Sequence, residues 1–481
     1  MSEEMEKISS LYDEMCSIAG PENVTKEEAA RRSYTRGPFM GIGGGGRGKT
    51  PGIVVRPGST EEISEIVKLA NRTKTPIVPK GGSGAVATFP PVYVGTDENI
   101  LIDTTRMNRI LEINEEYMTV KAECGVILSN LQADVKEKGF HIYTVDTPVH
   151  MDTLGGVLSG FVGGGEPSDL ATSGTMNNYL LGLKVVLPNG EIIETGGGPG
   201  TNIHQERILH REAGSPDITG LFVADGGAFG IKTEATFSIH PYPPVYVPGI
   251  YNMGSDESMW KAFNELARTD PYAYTRLLAF REQGGDWFFI YVIRGYSEEE
   301  TAAKKKVLDK ICQSHGGKAA GPGHDGFKIA NMFSTHRLGQ QVLPTSSAMT
   351  FFGEALVPRP VSLDYVRDLN ALIDEKLGDL NFYKRVDFTL PYLRATTISG
   401  VLLYFSKEHS REEVSKRIYK DTYKEQHRLM SEKHGGWVET MQGESAALGA
   451  SAWSPSYKAF MRSLKKTLDP NNILMPGLWR I

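Results

Sequence analysis

The sequence predicts an α+β protein built from more than one domain. Its 481 residues exceed a single ordinary core, since domains average about 150 residues. Hydrophobic residues make up 40% of the chain and charged residues 23%, values typical of globular proteins rather than of disordered or fibrous ones. Strand-like and helical patterns alternate along the first half, with glycine-rich turns between them. We therefore expect helices and strands mixed around substantial cores.

The first unit is a strand, a helix, a strand and a loop. Residues 53–55 form an apolar strand, and Ser59 with Glu62 makes a capping box ahead of a helix. The apolar pair at residues 77 and 78 begins a second strand. This strand leads into a turn at residues 80–84 that contains too much glycine to continue either a strand or a helix.

The second unit follows the same order. Strands are predicted at residues 100–102 and 118–122, and the next helix, stopped by Gly139, has an apolar face formed by Ile127, Leu128, Leu131 and Val135. Strands at 183–187 and 191–195 flank Pro188-Asn189-Gly190, whose Asn-Gly tolerates positive φ and so predicts a hairpin. Residues 231–239 alternate with period two, as in a half-buried strand.

Proline residues mark the boundary after these units. They lie close together at Pro241, Pro243, Pro244 and Pro248, as is common between domains. Beyond them we predict a helix at 364–377, a strand at 401–405, and a last helix after Ser454-Pro455 with Tyr457, Phe460, Met461 and Leu464 on one face. The predicted divisions are an N-terminal helical segment and glycine-rich loop, a first domain, an inserted domain and a returning C-terminal segment: 1–50, 51–243, 244–438 and 439–481.

Charge and composition exclude several classes of partner. The net charge of −6 comes from interspersed acids and bases, so we expect no nucleic-acid binding. No window approaches the ~20 apolar residues that span a bilayer, and the acidic N-terminus lacks a signal-peptide pattern, so we expect a cytoplasmic protein without a membrane span. The cysteines Cys16, Cys124 and Cys312 are too far apart in sequence for a CxxC metal or iron–sulfur pattern.

Two nucleotide-binding patterns match in the N-terminal loop and are rejected. Gly43, Gly48, Lys49 and Thr50 satisfy GxxxxGK[ST], and Gly41, Gly43 and Gly46 satisfy GxGxxG. Either motif needs a buried strand before the glycines and a helix N-terminus after them, so that backbone N–H groups meet phosphate. Here Pro51-Gly52 and a strand follow instead. We interpret this run as a surface loop rather than a nucleoside triphosphate site.

Five segments together resemble a known family. PGIVVRPGSTEEISEIVKLANRTKTPIVPKGGSGAV resembles the opening of the FAD-binding domain of the vanillyl-alcohol oxidase and p-cresol methylhydroxylase (PCMH) superfamily. TLGG from Thr153, LLGLKVVLPNGEIIETGG from Leu180, DITGLFVADGGAFGIKTEATF from Asp217 and LKKTLDPNNILMPG from Leu464 follow in the family's order. The resemblance implies a PCMH-type FAD-binding domain of two subdomains with an inserted α+β substrate (cap) domain.

The resemblance also implies the FAD-binding residues. The glycine turn would wrap the pyrophosphate, because successive backbone N–H groups form an anion-binding concavity; it comprises Pro79, Lys80, Gly81, Gly82, Ser83, Gly84 and Ala85. The adenine and flavin channel would be lined by Asp146, Thr147, Thr153, Gly155, Gly156, Ser159, Gly160, Gly174, Gly226, Gly227, Phe229, Gly230 and Ile231. The turn has no histidine for a covalent bond to FAD, so we expect dissociable FAD, with covalent attachment at His150 as the alternative.

The family's chemistry is hydride transfer to FAD from a carbon that bears, or is conjugated to, an oxygen. The chain lacks the GDGNxH and EHG stretches that hold a metal in relatives acting on D-2-hydroxy acids, so we expect no catalytic metal. VLLYFSKEHSREE resembles relatives acting on alkylphenols and aryl alcohols, although Ala87, Thr88 and Phe89 stand where those relatives place a phenol-binding tyrosine. We expect a small hydroxylated substrate of the aryl alcohol or alkylphenol type, with a D-2-hydroxy acid (lactate or glycolate) as the alternative.

Candidate catalytic residues follow in the inserted domain. A strand at residues 384–387 would present Arg385 and Asp387 on one face, Arg385 to hold an anionic group and Asp387 to act as base. The remaining candidates are Tyr392, Arg394 and Glu444. An exposed ion pair on a cap strand is the alternative interpretation for Arg385 and Asp387, and a solvated loop carboxylate for Glu444. An electron-acceptor protein and a homodimer are the expected partners, and an electron-relaying subunit of a larger complex, or a flavin-free binding module, is the alternative function.

Overall fold

The computed structural model describes most of the chain. The described residues are 3–34, 50–82, 99–143, 152–160, 176–269 without 213, 272–327 without 283 and 325, 330, 348–389, 395–409 without 407, and 414–480 without 415, 416, 419–421 and 439–442. Within this part, four β-sheets and their helices form a mixed fold. The predicted fold class, a two-subdomain PCMH-type domain with an inserted α+β domain, is confirmed.

The first sheet contains three parallel strands and one antiparallel edge strand. Its strands are β1 (Val24–Thr25), β2 (Ile53–Val55), β3 (Ile77–Lys80) and β4 (Ile100–Asp103), in the order β1-β2-β4-β3. Helices α1 (Glu3–Ala19), α2 (Glu28–Ser33) and α3 (Thr60–Thr73) accompany it. The predicted cap is present, since the Ser59 hydroxyl accepts from the Glu62 amide, while the Glu62 carboxylate accepts from the Gly58 amide instead of the Ser59 amide.

The second sheet is antiparallel and has five strands. These are β5 (Ile110–Asn114), β6 (Thr119–Glu123), β8 (Leu180–Val186), β9 (Ile192–Glu194) and β10 (Ile231–Ser238), in the order β5-β6-β10-β8-β9. Helices α4 (Leu128–Glu137) and α5 (Leu154–Gly160) belong to this subdomain, and β7 (Phe140–His141) pairs with β11 (His240–Pro241). The predicted hairpin is confirmed, because β8 and β9 are antiparallel and Gly190 has φ +86°.

The third large sheet carries the inserted region. It comprises β12 (Val245–Gly254), β13 (Arg276–Glu282), β14 (Trp287–Gly295), β15 (Lys318–Ala320), β16 (Ala348–Pro358), β17 (Phe382–Thr389), β18 (Thr396–Phe405) and β19 (Trp437–Val438). The order is β15-β12-β14-β13-β17-β18-β16-β19. Helices α6 (Asp256–Leu266), α7 (Glu298–Ser314) and α8 (Ser362–Leu377) supply side chains to one large core with this sheet. Pro248, predicted as part of a boundary, lies inside β12, where β15 does not pair with it.

The chain then returns to the first half. α9 (Tyr423–Arg428) continues into a π-helical turn (Leu429–Lys433), and α10 (Gly443–Ser451) and α11 (Pro455–Leu468) follow β19. The Ile77 amide donates to the Ile473 carbonyl at 2.7 Å, and the Met475 amide donates to the Ile77 carbonyl at 3.0 Å. The C-terminal tail therefore lies along β3, directly before the predicted cofactor turn.

The predicted helix after Ser454-Pro455 is present as α11, but its apolar face is only partly buried. Met461 is buried as expected, but Tyr457 is 48% exposed and Phe460 is 62% exposed. The reason is that the first turns of α11 extend beyond the core. The buried stripe also includes a charged residue, Lys465, which the apolar pattern did not contain.

Candidate functional site

The predicted pyrophosphate turn begins where β3 ends. Gly81 packs so closely on Thr153 that a Cβ atom at Gly81 would lie inside the van der Waals contact distance of the Thr153 hydroxyl. The Gly82 amide donates to the same hydroxyl at 3.2 Å. Because only glycine permits this approach, the turn is held against the start of α5 by its backbone.

The structure brings three separately predicted segments together. Thr153 meets the turn through Gly81 and Gly82, and the Gly226 amide donates to the Ser159 carbonyl at 2.8 Å. Gly227 has φ +79°, and a Cβ there would come within 2.7 Å of the Pro79 ring. Residues of three segments far apart in sequence therefore lie together here.

The remaining FAD candidates divide into described and undescribed residues. Gly155 is a close-packing position, since its amide donates to the Cys124 carbonyl at 2.7 Å and a Cβ there would meet the Cys124 side chain. Gly156, Gly160, Phe229, Gly230 and Ile231 lie in the same segments. The candidates outside the described residues are Ser83, Gly84, Ala85, Asp146, Thr147 and Gly174, together with His150 and most of the rejected phosphate-loop run.

A polar cluster that the sequence interpretation missed lies at the same edge of the parallel sheet. Lys80 ends β3 and Asp103 ends β4, and the Tyr34 hydroxyl donates to the Asp103 carboxylate at 2.9 Å. The Lys80 ammonium lies 5.3 Å from the centre of the Tyr34 ring and donates to the Gly81 carbonyl at 2.9 Å. Burial lowers the pKa of the Lys80 ammonium, and Asp103 offsets part of this effect. The N-terminal segment thus positions a cation beside the predicted pyrophosphate turn.

Two buried ion pairs, also missed, fix the neighbouring backbone. Asp225 accepts from the Lys232 ammonium at 2.5 Å and from the Gly227 amide at 3.0 Å, and both side chains of this ion pair are buried. Lys465 on α11 donates to Asp469 at 2.6 Å and to the Ala228 carbonyl at 2.9 Å. The Asp-Gly-Gly sequence at 225–227 carried a turn signal for the first pair, whereas nothing local marked Lys465 as buried.

The donors present suit an FAD cofactor. A pyrophosphate carries negative charge, and the Lys80 ammonium lies beside the glycine turn, where the absence of a side chain at Gly81 lets other groups approach the backbone closely. The close contacts at Gly81 and Gly227 leave no room for side chains at these positions. Pro79, Lys80, Gly81, Gly82, Thr153 and Gly226 are therefore the described residues that would hold the cofactor.

The catalytic candidates of the inserted region lie on β17. The Arg385 guanidinium forms two hydrogen bonds with Asp387, from Nε to Oδ1 at 2.9 Å and from Nη2 to Oδ2 at 2.8 Å. Both side chains are largely but not fully buried, at 15% and 14% exposure. They share a face as predicted, while Lys384 on the other face donates to Asp374 of α8 at 2.6 Å.

The face that carries this pair is the one opposite the helices. Val386 and Phe388, which alternate with Arg385 and Asp387, belong to the core shared with the helices. Asp387 pairs across the sheet with Phe280, and the Arg385 guanidinium lies 5.7 Å from the Phe280 ring centre. The pair therefore lies beside a buried aromatic ring.

The other catalytic candidates are less defined. Tyr392 and Arg394 lie outside the described residues. Glu444 is in the first turn of α10, where the chain passes from β19 of the cap sheet into the second subdomain. Ala446 and Ala450 of α10 belong to the core of that subdomain. α10 therefore joins the two halves at the position of Glu444.

The described part of the chain has neither a metal-binding cluster nor a membrane-spanning helix. There, no group of three or more His, Cys, Asp or Glu side chains is arranged to hold a metal ion. Among the same residues, no helix is both long enough and apolar enough to cross a bilayer.

Family models match both halves of the chain. The model described as "FAD binding domain" matches residues 51–196, and the model described as "FAD linked oxidases, C-terminal domain" matches residues 256–478. Both descriptions name FAD, in agreement with the donors of the glycine turn.

Curated relatives match part of the chain. Glycolate oxidase subunit GlcD of Bacillus subtilis is 31% identical over 234 residues, which are 48% of this chain and 45% of GlcD. A D-lactate dehydrogenase of Anaerostipes hadrus is 30% identical over 193 residues, which are 40% of this chain and 37% of that enzyme. The matches thus span less than half the length of these relatives.

Solved structures match along the whole chain. The 4-ethylphenol oxidase of Gulosibacter chungangensis has a TM-score of 0.80 at 18% identity, covering 98% of this chain and 97% of that one. A p-cresol methylhydroxylase has a TM-score of 0.76 at 17% identity, covering 99% and 97%. At these identities the likeness is one of fold. Together with the two family models, it places the chain in the vanillyl-alcohol oxidase and p-cresol methylhydroxylase superfamily of FAD-binding oxidoreductases, with FAD as its cofactor.

Proposed function

We propose that the protein is an FAD-dependent dehydrogenase or oxidase that removes a hydride from a small hydroxylated molecule. The observation that carries this proposal is the doubly hydrogen-bonded pair of Arg385 and Asp387 on the face of β17 that the cap helices do not cover. A cation and a carboxylate fixed side by side supply the two functions that such a reaction needs from the protein, anion binding and proton acceptance.

The first half of the chain binds the cofactor in this proposal. The turn at Gly81 and Gly82, which Thr153 holds in place, would lie against the pyrophosphate, with the Lys80 ammonium as the nearby positive charge. Asp225 and Lys465 keep the flanking loop and tail in place. When bound, FAD supplies the acceptor of the substrate's two electrons, so that the protein has to orient the C–H bond and take up a proton.

The cap strand orients the substrate. The Arg385 guanidinium would hold an anionic oxygen of the substrate, because a planar guanidinium matches carboxylate and phenolate oxygens. The Asp387 carboxylate would accept the proton of the hydroxyl group that becomes a carbonyl. Glu444, in the first turn of α10, is a further candidate, and Tyr392 and Arg394 follow β17 closely in sequence.

Two substrate classes are favoured by different observations. An aryl alcohol or alkylphenol is favoured by the aromatic surroundings of Arg385, since Phe280 beside it is buried against Phe288 and an apolar aromatic setting beside a cation suits an aromatic anion. A D-2-hydroxy acid is favoured by the relatives named glycolate oxidase subunit and D-lactate dehydrogenase. Both classes carry an oxygen that Arg385 can hold.

An anaerobic titration tests the proposal. The purified chain, reconstituted with FAD, is mixed with 4-hydroxybenzyl alcohols in one series and D-2-hydroxy acids in another, and bleaching of the visible flavin band is followed. Bleaching by one series supports an enzyme and names its substrate class. A protein that binds FAD but is bleached by neither series would contradict the proposal and favour the electron-relaying subunit.

A further inference from the structure

The outer side of α11 differs from the other long helices of the protein. Tyr457 and Phe460 are exposed there, with Lys458, Arg462 and Lys466 between and beside them. We call these five residues the basic aromatic surface. The three cations follow at intervals of four residues and so form a stripe along one side of the helix.

No acidic residue of α11 neutralises these three cations. Residues 445–468 contain no Asp or Glu, although the whole chain has a net charge of −6. By contrast, the other described helices of ten or more residues, α1, α3, α4, α6, α7 and α8, carry both signs of charge. Among the described residues, Arg462 and Lys466 have no carboxylate within ion-pair distance, unlike Lys304 and Glu300 on α7. The surface is therefore a local positive patch on an acidic protein.

Aromatic contacts lead inward from this patch. The Tyr457 and Trp453 ring centres are 5.0 Å apart, those of Trp453 and Trp479 are 5.8 Å apart, and those of Trp479 and Phe229 are 5.4 Å apart. Phe229 belongs to the loop predicted to touch the cofactor. The chain of rings therefore connects the exposed patch with that loop through side-chain contacts alone.

The middle of this chain of rings is buried, since Trp479 is 5% exposed. The indole N–H of Trp479 is buried and has no hydrogen-bond acceptor among the described residues. A buried unsatisfied donor costs about 1–3 kcal/mol.

We infer that the basic aromatic surface is the docking site of a one-electron carrier protein with an acidic face, an inference that rests on the proposed function. Exposed aromatic residues and arginine are the residues enriched in the centres of protein interfaces, and a positive patch steers an acidic partner to it. Electron transfer slows steeply with distance through protein. A carrier that docks on α11 meets the surface that side-chain contacts join to the predicted cofactor loop.

The electrons balance with two carriers for each substrate molecule. Oxidation of one hydroxyl group to a carbonyl releases two electrons and two protons. The electrons reduce two ferric haem carriers, one after the other, to the ferrous form, and the protons pass to solvent. An anionic membrane surface would also attract cations, but it would make no use of the ring contacts that lead to Phe229, so we assign the surface to a protein.

The test measures electron transfer without any organic substrate. The FAD-loaded protein is photoreduced anaerobically and mixed in a stopped-flow instrument with the acidic haem protein cytochrome b5 or the basic cytochrome c. The variant is Arg462→Glu with Lys466→Glu. The matched control is Lys306→Glu with Lys310→Glu, which makes the same charge change at exposed positions of α7. Phe460→Ser tests the aromatic part.

The α11 variant is expected to reduce cytochrome b5 about 10-fold more slowly than wild type at low ionic strength, and the difference should shrink at high salt. The α7 control should match wild type, Phe460→Ser should be several-fold slower, and cytochrome c should not be slowed by either charge reversal. Equal rates for all variants, or equal slowing by the α11 and α7 reversals, would overturn the inference. A membrane role would also overturn it. In that case the wild type, but not the α11 variant, would bind phosphatidylcholine vesicles that contain phosphatidylserine. Neither protein would bind vesicles without phosphatidylserine, and the cytochrome b5 rates would be unchanged. A chain that cannot be loaded with FAD would instead overturn the proposed function.

Discussion

The two sides of the proposed site are built in different ways. On the cofactor side, glycines at 81 and 227 bring backbone against Thr153 and Pro79, and buried ion pairs hold the loops from behind. On the cap side, the polar groups are side chains that project from a regular strand, Arg385 and Asp387 on β17. The first side is a backbone cradle and the second is a side-chain pair.

This difference assigns cofactor binding to the first side and substrate selectivity to the second. A cradle made of backbone tolerates few substitutions, so it suits a cofactor that does not change. The pair on β17 projects away from the core that Val386 and Phe388 share with the helices, so a substitution there leaves that core unchanged. We therefore expect substitutions near the cradle to affect stability or FAD affinity, and substitutions on β17 to affect turnover.

The largest expected effect is on the cofactor side. Lys465→Met removes one partner of a buried ion pair and leaves the Asp469 carboxylate without its cation, so we expect a loss of about 3–5 kcal/mol in the free energy of unfolding. Urea denaturation measures it. Lys466→Met, at the exposed neighbouring position, should change stability little. Equal stability of the two variants would show that the pair does not support the tail.

On the cap side, the matching test is the pH dependence of the free energy of unfolding. Burial lowers the pKa of His427 to about 4. The unfolded chain, with a pKa of about 6.5, therefore takes up a proton that the folded chain does not, and stability is lost as the pH falls from about 6.5 to about 4, by up to about 3 kcal/mol. His427→Gln should reduce the change of the urea unfolding midpoint with pH across this range. His204→Gln, at an exposed position, should leave that pH dependence as in wild type. An unchanged pH slope in His427→Gln would contradict this assignment.

Arg385→Gln tests the division of roles. Removing the cation leaves Asp387 without its partner and the substrate without its anion contact, so kcat/KM should fall about 100-fold, equivalent to about 2.7 kcal/mol. FAD affinity should stay at the wild-type value. Lys384→Gln is the control, because that side chain lies on the helix side of the same strand. A loss of FAD binding in Arg385→Gln would mean that the pair serves the cofactor.

Gly81→Ala tests the cradle. The added methyl group would overlap the Thr153 hydroxyl, and overpacking of this kind costs about 1–3 kcal/mol, so FAD affinity should fall about 5- to 150-fold. Fluorescence titration of the apoprotein with FAD measures the change. Gly321→Ala, where an added Cβ meets nothing within 4 Å, should bind FAD as wild type does. Equal affinities would remove the argument for close approach.

The smallest effect is expected at Tyr34. Tyr34→Phe keeps the ring beside Lys80 and removes only the hydrogen bond to Asp103, a contribution of about 0.5–1.5 kcal/mol. We expect FAD affinity to fall a few-fold in the same titration. Tyr12→Phe, a ring elsewhere in the N-terminal segment, should have no effect on FAD. A change no larger than in Tyr12→Phe would show that the N-terminal segment does not position Lys80.

Local signals predicted much of this fold and site. Asn189-Gly190 predicted the hairpin because its φ requirement is local, and strand alternation predicted that Arg385 and Asp387 share a face. Pairings between distant segments could not be predicted from local sequence. The hydrogen bond of Tyr34 to Asp103 spans 69 residues, and that of Lys465 to the Ala228 carbonyl spans 237. The apolar pattern of α11 also could not show that Lys465 is buried, because its partners Asp469 and the Ala228 carbonyl are supplied by the fold.

One measurement tests the central claim most directly. The visible flavin band of FAD-loaded wild type and Arg385→Gln is recorded before and after anaerobic addition of the substrate class that bleaches the wild type. The account predicts that both proteins hold FAD and that only the wild type is bleached at full rate. A colourless wild type that takes up no added FAD, or an Arg385→Gln protein bleached as fast as wild type, would contradict it.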